Sequence, residues 1–395
     1  MKRTELLQEI RKMRFEEVYQ GWTQKRFTQE EAALLLGVCD RTFRRYLCRY
    51  EKDGLDALMD KRISQVSHRR AAVDEVIALT TLYQGRYCGW NVKHFFRFYQ
   101  TKHSGTRSYT WVKTALQNEG LVRKSAKHGA HRKKRERAPM EGMMLHQDGS
   151  DHEWIPNERW DLIVTMDDAT SEHYSMFFTE EESTASSFQG VKETIEKKGL
   201  FCSFYTDRGS HYWLTPEADG PVDKHQLTQF GRAMRHLGIE MIPAYSPEAR
   251  GRSERMFRTH QERLPKELAL QGITTMDAAN AYLENIYMPA FNAEFKVAAT
   301  VEGSAFVPWI DGNIDDVLCE KHERTVGKNN CVSFEGLTLQ IPKDQYRCHY
   351  VKAKVRIHRY VNGQLAVFHG PRKLASYDAK GEQIVPLVPP NEQAA

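Results

Sequence analysis

Long apolar runs, paired cysteines and a strong excess of one charge are all missing from this chain. Its seven cysteines (Cys39, Cys48, Cys88, Cys202, Cys319, Cys331, Cys348) are scattered over 395 residues, with no two at C-x-x-C spacing. That speaks against a zinc ribbon and against a disulfide framework, and the thiols read as small apolar fillers. No run of ~18 apolar residues occurs, so no membrane-spanning helix is expected. The start, Met1-Lys2-Arg3-Thr4-Glu5, leads into charged residues with no apolar signal-peptide core behind it, and the expectation is a cytoplasmic chain. No internal repeat or low-complexity tract is visible.

What is present describes a soluble, folded chain: 40% hydrophobic and 28% charged residues, with a mean hydropathy of -0.64. At 45.8 kDa the chain exceeds one ordinary core and suggests two to four domains, taking ~150 residues per domain. Fifty-seven basic against 52 acidic residues leave a net charge of only +5. The clustering of the positive charge is more informative than its sum.

A helical domain is expected over residues 1–62. Thr28 with Glu31 three residues on is a capping-box signature. Ala33 permits close helix crossing, Gly37 suits the turn, and Phe43 anchors a second helix from about Asp40 to Glu51. This layout resembles a helix-turn-helix. Arg41, Thr42, Arg44 and Arg45 would then face outward as DNA-binding residues, suited to phosphates and guanine edges. A small bundle with a solvated basic face is the plainer alternative. A second helical domain, winged or helix-turn-helix-like, is expected over 63–123. Trp90, Phe95 and Phe98 read there as core rather than base-stacking groups, and Ser108 opens its third helix. Residues 124–140 form a basic linker. From Arg123 to Arg137 there are eight Lys/Arg and one Glu, and Arg132, Lys133, Lys134 and Arg135 are candidates to follow a phosphate backbone.

From 141 to 300 strands and helices alternate. Strands over Met143–Asp148, Leu162–Met166 and His173–Phe178 precede a helix at about Ser183–Lys198. A strand over Phe201–Asp207, a helix over Gln226–Leu237, a strand over Ile239–Ile242 and a long helix to about Leu270 follow. This is the order of a ribonuclease-H-like α/β fold. Asp148 and Asp207 end their strands, and Glu254 lies near the start of the last helix. They stand 59 and 47 positions apart along the chain, yet such a sheet can bring them together. Three carboxylates suit two Mg²⁺ ions ~3.5–4 Å apart, the arrangement used for in-line phosphodiester chemistry.

At these acids the sequence resembles bacterial insertion-sequence transposases of the DDE, retroviral-integrase-like superfamily, closest to the unclassified (ISNCY-type) group. That group's signature at the first acid reads here Gln147-Asp148-Gly149-Ser150. After the second acid comes Thr228-Gln229-Phe230-Gly231-Arg232, and at the third Ser246-Pro247-Glu248-Ala249-Arg250-Gly251-Arg252-Ser253-Glu254-Arg255. The resemblance implies Asp148, Asp207 and Glu254 as catalytic, metal-binding acids with two Mg²⁺, for which Mn²⁺ substitutes. It implies double-stranded DNA as partner: cleavage at terminal inverted repeats and joining of the freed 3′-hydroxyl to target DNA. It further implies a homodimer or higher multimer on DNA, with no membrane partner, in the bacterial nucleoid. One stretch departs from the group: Asp207-Arg208-Gly209-Ser210-His211 stands where many relatives have Asp-Asn-Gly or Asp-Lys-His. Arg208 holds a phosphate or pairs with a surface acid.

Rival readings accompany these residues. Asp151, Asp167 and Asp168 are alternative metal ligands, but Asp167-Asp168-Ala169-Thr170 suits a tight turn. His152 orients a water or phosphate, or is an ordinary histidine. Arg250, Arg252 and Arg255 grip DNA beside the third acid, or form a plain helix face. Glu254 with Arg258 is also compatible with a simple helix ion pair. Residues 320–380 alternate as short strands, with Asn362-Gly363 as a hairpin turn, and are expected to form an SH3-like small β-barrel. Residues 381–395 are expected to be a flexible tail. The whole is thus multidomain α+β. Two other classes stay open: a non-catalytic DNA-binding regulator, and a ribonuclease-H-like nuclease without strand transfer.

Overall fold

The structure, a computed structural model, describes residues 3–59, 70–124, 136–216, 220–245 and 251–384. Arg132, Lys133, Lys134, Arg135, Arg250 and the tail from 385 onward lie outside the described residues. The chain divides into two compact units, Met1–Thr81 and Leu82–Ala395. Among the described residues no helix is long and apolar enough to cross a membrane.

The first unit holds α1 (Arg3–Thr23), α2 (Gln29–Leu35) and α3 (Asp40–Asp53). Thr28 caps α2 with the expected box: its side chain accepts from the Glu31 amide, and the Glu31 carboxylate accepts from the Thr28 amide at 2.8 Å. Gly37, at φ +66°, turns the chain out of α2, where the Val38 amide reaches back to the Ala33 carbonyl at 3.0 Å. Phe15, Ala32, Ala33, Phe43 and Leu47 form the core between the helices. Phe43 therefore fixes the roll of α3 and leaves Arg41, Arg44 and Arg45 exposed.

The helices expected as a separate domain over 63–123 are shared between the units. The helix α4 (Val73–Arg86) crosses the division at Thr81, while α5 (Val92–Lys102) and α6 (Tyr109–Asn118) lie wholly in the second unit. Trp90, Phe95 and Phe98 are buried, as their pattern implied, and the Ser108 side chain caps α6. Within that unit a buried polar contact ties α5 to the residues that follow: His94 shares a 2.7 Å hydrogen bond with Glu267.

That unit is built on strands β1 (Met144–Ile155), β2 (Glu158–Asp167), β3 (His173–Thr179), β4 (Ser203–Thr206) and β5 (Glu240–Pro243). Their order is β3-β2-β1-β4-β5. The pairs β1–β2 and β2–β3 are antiparallel, while β1–β4 and β4–β5 are parallel. Parallel neighbours need crossovers, supplied by α7 (Thr184–Lys198) and α8 (Gln229–His236). Phe188, Val191, Phe204, Phe230 and Met234 make the core on that face. The opposite face is covered by α9 (Gly251–Gln271), α10 (Met276–Tyr282) and α11 (Met288–Phe295), through Trp154, Leu162, Met256, Phe257 and Leu264. This order, direction and layering make a ribonuclease-H-like fold.

The strand β1 runs past Asp148 to Ile155, so the first acid stands mid-strand rather than at a strand end. The cause is the neighbour on each side. Pairing with β4 stops at His146–Tyr205, but pairing with β2 continues through Asp148–Val164 to Ile155–Glu158.

The carboxy-terminal part comprises β6 (Glu320–Thr325), β7 (Cys331–Phe334), β8 (Leu337–Gln340), β9 (Lys354–Arg359), β10 (Leu365–His369), β11 (Arg372–Tyr377) and β12 (Gln383–Ile384). It is a five-stranded sheet, β12-β11-β10-β9-β6, together with the β7–β8 hairpin. Val332, Phe334, Leu339, Ile357, Leu365 and Val367 fill one core between them, and Gly363 at φ +80° turns β9 into β10. All seven cysteines are free, and only Cys319 is buried. The expectation of apolar fillers therefore holds at that position and is corrected at Cys39, Cys48, Cys88, Cys202 and Cys348, which are exposed.

Two histidines meet inside the second unit. His173 Nε2 lies 3.1 Å from His260 Nε2, and His260 Nδ1 lies 2.9 Å from the Tyr287 hydroxyl. Burial pushes His173 down to about 4 and holds His260 well below its ordinary value. Both are neutral in the folded chain at neutral pH, whereas the unfolded chain protonates them as pH falls below 6.5. Stability is thus full above about 6.5 and is lost between there and about 4, by about 3 kcal/mol from His173 alone. Urea unfolding at pH 7.5 and 4.5 should show this loss, and His173→Gln should shrink it. An unchanged pH difference in that variant would remove the role.

Candidate functional site

An open cleft of about 630 Å³ is lined by Asp148, Gly149, Ser150, Glu182, Asp207, Glu254, Phe257, Arg258 and Gln261. The three acids singled out from the sequence therefore face one space, each delivered by a different element.

Alternation along β1 aims the first of them. Leu145 and Gln147 turn toward α7. There the Gln147 amide donates to the Thr165 hydroxyl at 2.9 Å and to the Ser187 carbonyl at 3.3 Å, and the Tyr212 hydroxyl donates to it at 2.9 Å. Asp148 must then face the α9 side, where Ser150 accepts from Gln261 of α9 at 3.0 Å. Asp207 follows the last residue of β4. Continuing the β1–β4 register two residues past His146–Tyr205 brings Asp148 abreast of Asp207. Its side chain accepts from the Gly209 amide at 2.8 Å, which fixes the turn beyond the strand. Glu254 is exposed in the first turn of α9, and that helix is seated on the sheet by Met256 and Phe257.

Hard carboxylate oxygens with room for solvent suit Mg²⁺ or Mn²⁺. Among the described residues, however, no three His, Cys, Asp or Glu side chains form a ready cage for an ion. The acids converge on a cleft and do not form a closed coordination shell. The donor chemistry therefore fits a divalent cation that is completed by water and substrate oxygens. Glu182, a fourth carboxylate in the cleft, was not anticipated. It precedes α7 and packs over Gly149, where a Cβ would collide with its carboxylate. No local pattern marks it, because only the sheet brings it to β1.

The rival acids settle differently. Asp167 is a turn residue, accepting from the Thr170 amide at 2.7 Å and from the Gly142 amide at 2.9 Å. Asp168 is not. It is fully buried and bonded to His146 Nε2 at 2.7 Å, to the Ala138 amide at 2.7 Å and to the Arg252 guanidinium. Burial would raise its carboxyl, but the bonds from His146, Ala138 and Arg252 hold it far below the usual carboxylate range. Asp151 pairs with Arg159 across the hairpin at the surface. The His152 ring lies edge-on to Trp154, 5.1 Å between centroids. Arg208 donates to the Gly220 carbonyl at 3.0 Å, and its guanidinium lies over the Tyr245 ring. Arg252, expected to grip DNA, is turned into the protein by Asp168, whereas Arg255 and Arg258 remain exposed on α9.

In the first unit a second groove, about 560 Å³, is lined by Arg41, Arg44, Arg45, Cys48 and Arg49 of α3. Thr42 is half-buried, its hydroxyl 3.2 Å from the Cys39 thiol at the helix start, so it faces the cap rather than the groove. Arg49 was missed, although it lies one turn beyond Arg45 and continues the same stripe.

The fold and cleft define a class: a helix-turn-helix unit followed by a ribonuclease-H-like unit with acids gathered at one edge of its sheet. Residues 17–76 match the family described as Winged helix-turn helix. Over 348 residues the chain is 29% identical to "Putative transposase y4bF" of Sinorhizobium fredii, covering 87% of this chain and 75% of that protein. It is 28% identical over 224 residues to the transposase for insertion sequence IS1202 of Streptococcus pneumoniae, covering 56% of this chain and about half, 47%, of that protein. Among solved structures, a simian T-cell lymphotropic virus intasome superposes loosely at a TM-score of 0.34 and 13% identity, covering 78% of this chain and 99% of that chain. The HTLV-2 integrase catalytic core domain in complex with magnesium gives a TM-score of 0.29 and 16% identity, covering 37% of this chain and 84% of that one. The chain is thus similar in sequence to two transposases, one of them that of an insertion sequence.

Gly190 of α7 offers a direct test of how β1 is held. A Cβ there would lie inside contact distance of Gln147 and Thr165. Gly190→Ala should destabilise the chain by about 1–3 kcal/mol through overpacking, read as a lower urea midpoint. An unshifted midpoint would show that α7 has room to move.

Proposed function

We propose that this chain is a DNA transposase that binds the terminal inverted repeats of an insertion sequence, cuts the element ends and joins their 3′-hydroxyls to target DNA. The observation that carries the reading is the convergence of Asp148, Asp207 and Glu254, from β1, the end of β4 and the start of α9, on one open cleft.

In this reading the three carboxylates, with Glu182 beside them, present hard oxygen donors to two Mg²⁺, or to Mn²⁺ in their place. Such ions, when bound, activate the attacking oxygen and stabilise the leaving one. Asp148 and Asp207 are held by the sheet and its first following turn, so they keep their spacing when DNA enters. Glu254 rides on a helix whose exposed arginines, Arg255 and Arg258, lie beside the scissile backbone and balance phosphate charge. Arg41, Arg44, Arg45 and Arg49 of α3 read the repeat in the major groove. The basic linker, including Arg132, Lys133, Lys134 and Arg135, follows the DNA backbone, and Arg250 is a further DNA contact in this reading. A homodimer or larger assembly holds two ends together, in a bacterial cell at the nucleoid.

Asp207→Asn should abolish cleavage of element-end DNA in either Mg²⁺ or Mn²⁺ while end binding stays near the parent value. Full cleavage by this variant would end the assignment. A strand-transfer assay with the unsubstituted chain separates a transposase from a nuclease that cuts without joining. In the first unit, Arg44→Ala should weaken binding to the repeat and reduce the slope of log affinity against log salt by about 1. Unchanged affinity would remove α3 from DNA recognition.

A further inference from the structure

Beyond the three acids, we propose that Arg252 and Asp168 form a latch that sets where Glu254 enters the cleft, making both of them positioning residues. The proposal rests on the cleft being the catalytic site.

Three connections meet at the Asp168 carboxylate, which is wholly buried. Arg252 reaches it from the first turn of α9, two residues before Glu254. Side chains two apart on a helix point to different sides, so the turn that sends Arg252 inward sends Glu254 outward. His146 reaches it from β1 at 2.7 Å. His146 stands two residues before Asp148 and on the same face of the strand. One carboxylate thus ties the strand carrying the first acid to the helix carrying the third. The third connection is the chain just before the core: the Ala138 amide donates to the same carboxylate at 2.7 Å. Beside it, the Arg137 guanidinium donates to the carbonyls of Asp168 and Ala169 at 2.8 and 3.2 Å and to the Ser171 hydroxyl at 2.8 Å. The end of the basic linker is therefore fastened to the same turn.

A buried carboxylate left without its cation is strongly unfavourable, so the pairing is close to all-or-none. That is the property a positioning contact needs. Apolar packing by Met256 and Phe257 and the bond from Gln261 to Ser150 hold the body of α9 against the sheet. The ion pair defines one position of its first turn.

The test uses the full chain with Arg252→Ala and Arg252→Lys. Hydrogen exchange is followed in peptides covering 251–258, with β3 and α7 peptides as internal references. Arg252→Ala should speed exchange in the first turn of α9 by roughly tenfold or more, with the references unchanged, and Arg252→Lys should fall between. Cleavage of element-end DNA is measured in parallel. Arg252→Ala should lower the turnover rate and raise the Mn²⁺ concentration for half-maximal cleavage several-fold, without changing end binding. Unchanged protection of 251–258 would overturn the latch. So would a defect confined to end binding, which would make Arg252 a DNA contact. Absence of cleavage by the unsubstituted chain would instead overturn the functional reading, and the exchange result distinguishes the two failures.

Discussion

The double pairing of β1 is the constraint on which the second unit depends. On one side it lies parallel to β4 for only three residues, and on the other antiparallel to β2 for most of its length. Where the parallel partner ends, β1 has an open edge, and Asp148 stands just past that point. A strand flanked by β4 throughout would have buried this position between two ladders. A strand ending at the acid, as its local pattern suggests, would have left Asp148 in a loop. The continued ladder with β2 keeps the residue rigid while the missing neighbour keeps it accessible.

Polar groups inside the layers do work that apolar contact does not. Gln147 is satisfied by Thr165, the Ser187 carbonyl and Tyr212, and so registers α7 on the sheet. Glu267 in the middle of α9 takes hydrogen bonds from Tyr282 at 2.6 Å and shares one with His94 at 2.7 Å, linking three helices. Arg263 meets Glu294 through both terminal nitrogens at 2.7 and 2.9 Å. Such groups add little net stability, because desolvation offsets their attraction. Their effect is specificity: each is satisfied in one arrangement only. Glu267 and Arg263 fall along α9, the element that carries Glu254.

Much of this was legible along the chain, and the parts that were not share a cause. The capping box at Thr28, the buried face of α3 and the order of strands and helices are local patterns of period or spacing, and each is found in place; the three acids, marked by their motifs, line one cleft. The division of the 63–123 helices was not legible, because apolar periodicity shows that a helix has a buried face without saying against what. Glu182 and the length of β1 depend on pairing between distant segments, which no window of sequence contains. The thiols were misread because cysteine is apolar enough to be buried and small enough to be tolerated at the surface.

The arginines near the third acid show this limit most sharply. Arg252, Arg255 and Arg258 follow one another at intervals of three, which a helix wheel places along one flank of α9. By pattern they are equivalent, and all three suit a phosphate. The asymmetry comes from Asp168, 84 positions earlier in the chain, buried at the end of β2 and already held by His146. Of the series, Arg252 donates to that carboxylate, beside His146 and the Ala138 amide. Arg252 is committed to that carboxylate, while Glu254, Arg255 and Arg258 stand exposed on the same helix. Equivalent positions in the pattern thus take different roles because one of them lies beside a buried carboxylate.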